Sequence, residues 1–125
     1  MKQYDPEEAP DPAEWLRLDE QLRIMLCEEH HHRSGAKAPN LEAHAVFHAI
    51  VENQIAEGYE PVVRAMARLC GEGLSRHDAV HAVASVLAEH LVDASKAGKN
   101  EAVDVMKVRY PAAVERLTKK RWLDG

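Results

Sequence analysis

Aromatic residues make up only 5% of this chain, although 46% of it is hydrophobic, and Thr and Ile are scarce as well. A sheet draws on β-branched and aromatic side chains, whereas the abundant Ala, Leu and Glu favour helix, so the fold class expected is all-α. Cysteine is nearly absent: Cys27 and Cys70 form no CxxC, which excludes a disulfide framework and fits a reduced thiol pair. No apolar run approaches the length of a membrane span, so no membrane partner is expected. The opening MKQYDPEEAPDP is acidic and proline-rich, unlike a signal or transit peptide, and a cytoplasmic location is expected. Basic residues are outnumbered, 16 against 21, giving a net charge of -5, so no nucleic-acid partner is expected. The one basic run, Arg116, Lys119, Lys120 and Arg121, reads as a helix end complementing its dipole. GxSxG, P-loop, GxGxxG and HExxH motifs are all missing, and no organic cofactor is indicated.

At 125 residues the chain has room for one core. Residues 1–10, with Pro6 and Pro10 among acidic neighbours, read as a mobile N-terminal arm, and residues 11–125 as a single helical domain. Asp11-Pro12-Ala13-Glu14 starts a helix, and the stripe Trp15, Leu18, Leu22, Met25, Leu26 carries it from about 12 to 33. Residues 34–39 form a connector. Asn40 caps a second helix that runs through Ile55 and stops at Gly58. Glu60-Pro61 opens a shorter helix ended by Gly71 and Gly73. Ser75-Arg76-His77-Asp78 is a capping box, with Leu74 as its staple, for a helix running to Gly98. Asn100 caps a weaker segment, and Pro111 ends that piece and starts a last short helix with Val114, Leu117 and Trp122. The architecture expected is a helical bundle of three longer helices with shorter C-terminal ones.

Two histidine pairs stand out, His44-x3-His48 and His77-x3-His81. At i, i+4 on a helix, two imidazoles stack on one face a turn apart, a spacing from which one ion can be ligated. Eight histidines scattered over 125 residues would give roughly half such a pair by chance. His44 and His48 fall inside the apolar stripe of their helix, and Glu52 continues the same ladder. Imidazoles on an apolar face need partners for their nitrogens; a metal supplies them, and so does a hydrogen bond from a space-filling core histidine. His77 and His81 flank the Val80/Ala84/Leu91 stripe of the later helix. His90 lies on the opposite flank and reads as structural or solvated.

The run Glu28-Glu29-His30-His31-His32-Arg33 reads first as a charged C-terminal turn. Glu29 and His32 also form a Glu-x-x-His pair of the kind found in di-metal bundles, with Glu29 on the projected stripe. His77-Asp78 looks like the signature of HD-type phosphohydrolases, with His44 or His48 upstream and Asp93 or Asp104 downstream. Against that reading, Asp78 is already accounted for as a capping residue.

The stretches PNLEAHAVFHAIVENQIAEG and GLSRHDAVHAVASVLAEHL resemble the domain-of-unknown-function 1841 family of small bacterial helical proteins. The likeness covers residues 40–98 and rests on His44, His48, Glu52, Gln54, Pro61, His77, His81 and Glu89. It implies a helical domain and carries no activity.

Three functional expectations follow. As a binding module, the chain gathers His44, His48, His77 and His81 around a divalent metal, with Glu52 as a further ligand or as a partner orienting an imidazole. An all-histidine set suits Zn or Ni, and added carboxylates from Glu52 and Glu29 suit Fe. As a structural protein, it keeps its histidines as satisfied core groups and associates as a homodimer through small Ala faces. As an HD-like metal-dependent hydrolase, it uses Glu52 as general base toward a metal-acidified water.

Overall fold

The computed structural model describes residues 3–35 and 40–125. Its elements are α1 (Pro12–Arg17), α2 (Glu20–Ser34), α3 (Leu41–Ala56), α4 (Glu60–Gly71), α5 (Arg76–Lys96) and α6 (Lys99–Asp104), then a π-helical turn (Val105–Arg109), α7 (Tyr110–Arg116) and α8 (Lys119–Asp124). No strand occurs among the described residues. The chain is an all-α bundle with α2, α3 and α5 as its longest helices. Of the connector expected at 34–39, residues 36–39 lie outside the described residues.

Three starts form as their sequences dictate. Asn40 accepts from the Ala43 amide at 3.0 Å, and Ser75 Oγ accepts from the Asp78 amide at 3.1 Å. Leu74, before that cap, is buried. Asp11 accepts from Glu14, with Pro12 at the first helical position.

The helix expected over 12–33 is instead two helices. Leu18 adopts extended backbone with ψ 147°, and Asp19 caps α2 by accepting from the Leu22 amide. The break frees carbonyls that a continuous helix would have used. Arg23 satisfies two of them, donating from Nε to Leu18 O at 3.0 Å and from Nη2 to Leu16 O at 2.9 Å. The projected stripe therefore fails beyond the break: Leu22 and Met25 are exposed, while Leu26 and Cys27 are buried. Glu29, placed on that stripe by projection, is exposed.

A second departure concerns Pro111. It does not end a helix; it sits at the start of α7, reached through the π-helical turn. Proline lacks an N–H and crowds the preceding turn. The widened turn, in which the Tyr110 amide reaches Val105 O, lets the chain stay helical past it. Gly98, rather than Asn100, is the cap of α6. The last break falls at Leu117, after which Thr118 caps α8.

Helix α3 is central, packing on α1 and α2 on one side and on α4 and α5 on the other. The larger core joins α3, α4, α5 and α7 through Val51, Val62, Leu69, Val80, Val83, Leu87, Tyr110 and Val114. A smaller one joins α1, α2 and α3 through Tyr4, Trp15, Leu26, Cys27, Ala45 and Ala49. Residues 4–7 do not stand away from the bundle as an arm. Tyr4 is 1% exposed, and the Arg76 guanidinium donates to Pro6 O at 2.9 Å.

Candidate metal centre

Helices α2, α3 and α5 each turn a histidine pair toward their common junction. Histidines 30 and 31 come from the last turns of α2, His44 and His48 from α3, and His77 and His81 from α5. Adjacent rings lie 4.2–6.0 Å apart, centroid to centroid. Within this cluster, one ring nitrogen from each of His31, His44, His48 and His81 lies within 4.8 Å of the others, so the four could hold a metal ion.

Three of these four come from the pairs read in the sequence. His31 does not: it replaces His77 in the group, and the sequence pattern read it as part of a charged C-terminal turn. The break at Leu18–Asp19 explains the difference. It resets the phase of α2 so that Leu26, Cys27, His30 and His31 share the inward face, while Glu29 and His32 face solvent. The i, i+4 relation of Cys27 to His31 was the available signal, visible once Asp19 is taken as a cap.

His77 stays close, its Nε2 3.1 Å from His81 Nε2, and His44 Nε2 is also 3.1 Å from that atom. Two nitrogens bound at ~2.05 Å to a tetrahedral ion lie roughly 3.3 Å apart. The His44–His81 pair is close to that value; the four nitrogens as a set lie within 4.8 Å of one another, so the others would draw in to meet a shared ion.

Burial sharpens the chemistry. His48 is 0% exposed and His31 2%, and neither nitrogen of His48 has a hydrogen-bond partner; His30 Nε2 is also buried and unpartnered. Enclosed polar atoms without partners are costly, and natural interiors rarely keep them. Burial, and after it the neighbouring imidazoles, holds these rings below the usual histidine range: His48 at about 2, His81 at about 3 and His31 at about 4. His30 and His44 are lowered by burial first and then by His77. At neutral pH these five rings are uncharged, the form that ligates metals.

Glu52 stands elsewhere. It is 1% exposed, and its two carboxylate oxygens accept from Arg76 Nη2 at 2.7 Å and Nη1 at 2.8 Å. The Tyr4 hydroxyl donates to the same carboxylate. It is not a member of the four-nitrogen group. Tyr4 lays its ring edge-on against His48, centroids 5.4 Å apart, and against His30 at 6.0 Å. Arg33 Nη2 donates to Tyr4 O, and Glu7 accepts from the His77 amide. The N-terminal segment thus walls one side of the histidine cluster. Neither Tyr4 nor Arg76 carries a motif that would have marked it.

The HD-type set is not gathered. Asp78 and Asp93 are exposed, Asp104 accepts from Arg109 Nε at 2.8 Å, and none of them is in the histidine group. His90 is apart too, with Nδ1 2.7 Å from Val86 O and its ring edge on Tyr110. No family model, curated protein or solved structure matches the chain. No helix among the described residues is long and apolar enough to cross a membrane.

Proposed function

We propose that this protein binds one divalent transition-metal ion through His31, His44, His48 and His81. The observation that carries the reading is the enclosed His48 ring, with both nitrogens unpartnered inside a group of four imidazoles drawn from three helices. A hydrogen-bonded core histidine has an acceptor or donor at hand. His48 has neither, and a metal ion is the partner that neutral imidazoles share in common. An all-nitrogen donor set favours Zn or Ni over the oxygen-seeking Mg and Ca. Because the ligands come from α2, α3 and α5, the ion would tie all three helices together at one point, beyond the pairwise Arg76–Glu52 and Arg23–Asn53 contacts. In this reading Glu52 is not a base; with Arg76 and Tyr4 it supports the wall behind His48. A relationship to the domain-of-unknown-function 1841 family is part of the same proposal and adds no activity to it.

The test is calorimetric titration of tag-free protein with Zn and Ni, with elemental analysis of the purified chain. One ion per chain is expected, and the binding disappears in a His48→Ala/His81→Ala double variant. Stoichiometry and affinity unchanged in that variant would sink the assignment.

A further inference from the structure

A cavity of about 430 Å³ opens against the histidine cluster. Two of its wall residues are His44 and His81, half of the proposed ligand set; His31 and His48 lie enclosed within the bundle. The rest of the wall is mostly apolar: Phe47 from α3, Ala84 and Ala88 from α5, and Trp122 from α8. Asn40 and Ser85 add neutral polar groups, and among the described residues no Asp, Glu, Lys or Arg lines the cavity.

Resting on the metal reading above, we infer that this cavity is a ligand site in which a small uncharged molecule with a flat apolar body places one lone-pair donor on the metal ion. The volume falls in the range of ordinary small-molecule sites, about 300–1,000 Å³. Phe47 and Trp122 offer aromatic faces for a planar body. The described wall offers apolar carbon and neutral polar groups, which suits an uncharged body. The half-buried pair, His44 and His81, puts the ion at the floor of the cavity, where a donor entering from it meets the metal first. Since the four imidazoles already fill a tetrahedral ion, the entering donor is a fifth ligand, a coordination number to which zinc can expand and for which the opening across α3, α5 and α8 leaves room.

The experiment uses Co(II) as a coloured stand-in and 4-phenylimidazole as the probe, with imidazole (donor without body) and toluene (body without donor) as companions. Cobalt loading is read first, from the visible absorption of the 125-residue chain. If no cobalt band appears at one equivalent, the metal reading fails, and the ligand site fails with it. If the band appears, 4-phenylimidazole is expected to shift it at least ten-fold more tightly than imidazole, and toluene alone to leave it unmoved. Ala88→Phe, which fills the cavity, and Trp122→Ala, which removes a wall, should both retain cobalt and abolish the ten-fold preference. Equal affinity for imidazole and 4-phenylimidazole, or a preference intact in both variants, overturns the ligand site while leaving the metal centre standing.

Discussion

His44 and His81 face one another across the α3–α5 interface with their Nε2 atoms 3.1 Å apart. Neither residue has the other as a sequence neighbour, and packing of two separate helices brings them together. The same contact makes His81 Nε2 the hub of the cluster, since His77 Nε2 lies at 3.1 Å on its other side. One nitrogen cannot donate a proton to two others, so this arrangement must be resolved by tautomers in the free protein and by the ion in the loaded one.

Single substitutions should separate the histidines. His31→Ala and His81→Ala each remove a proposed ligand and are expected to weaken Zn binding by 100-fold or more in competition titrations. His32→Ala and His90→Ala should leave it within two-fold, because His32 is exposed and His90 is engaged with Val86. A His32 variant as defective as the His31 variant would show that α2 presents a different face.

Metal binding should appear as stability. An ion that binds only the folded chain stabilises by about 2.7 kcal/mol at a free concentration of 100 times its Kd. The thermal midpoint is expected to rise by several degrees on Zn addition and to return on chelation. No shift in the wild type, under conditions where calorimetry shows binding, would mean that the unfolded chain holds the ion equally well.

The metal-free protein should weaken in acid. In the unfolded chain the histidines titrate near pH 6.5, whereas folding holds His31 at about 4, His81 at about 3 and His48 at about 2. The unfolded state therefore takes up protons first as pH falls. Stability is full above about 6.5 and declines below it, by up to about 1.4 kcal/mol per pH unit for each fully enclosed ring. Urea midpoints measured at pH 7.5 and 5 should differ in that direction, and His48→Leu should flatten the difference. A midpoint higher at pH 5 contradicts the buried neutral cluster.

The carboxylate behind the cluster makes a separable claim. Arg76→Ala leaves the Glu52 charge enclosed without its guanidinium, and a loss of about 3–5 kcal/mol is expected. Glu52→Gln is milder, because the amide still accepts one hydrogen bond from Arg76. Neither variant changes the number of ions bound, as Glu52 is no ligand in this geometry. Chemical denaturation reads the first effect and elemental analysis the second; lost stoichiometry in Glu52→Gln would restore Glu52 as a ligand.

Helix starts were legible in the sequence wherever a short polar side chain preceded an apolar period, as at Asn40 and Ser75. The phase of α2 was not, because a continuous Trp15-to-Leu26 stripe can be drawn across a break that only Asp19 and the carbonyl-seeking Arg23 reveal. His44, His48 and His81 were legible from i, i+4 spacing, a local property of one helix. His31 was not, since its partners sit on other helices, and adjacency in a His-rich run says nothing about which ring points inward. The Tyr4–Glu52–Arg76 contact likewise depends on tertiary packing and leaves no periodic trace.

That contact has a kinetic corollary. Tyr4 and Glu52 are 48 residues apart, and the Arg76 to Pro6 bond spans 70. During synthesis Tyr4 can pack on α1, α2 and α3 as they emerge, whereas Pro6 and Glu7 have no partner until the start of α5 has left the ribosome. Until then the N-terminal segment is held at one end only. Long-separation contacts of this kind are slow to close, because the chain between them must be ordered before they can form. The order of events is therefore set by chain length: the four helices ahead of α5 first, then the Pro6 and Glu7 contacts that close the wall, with all four proposed ligands present only after α5 arrives.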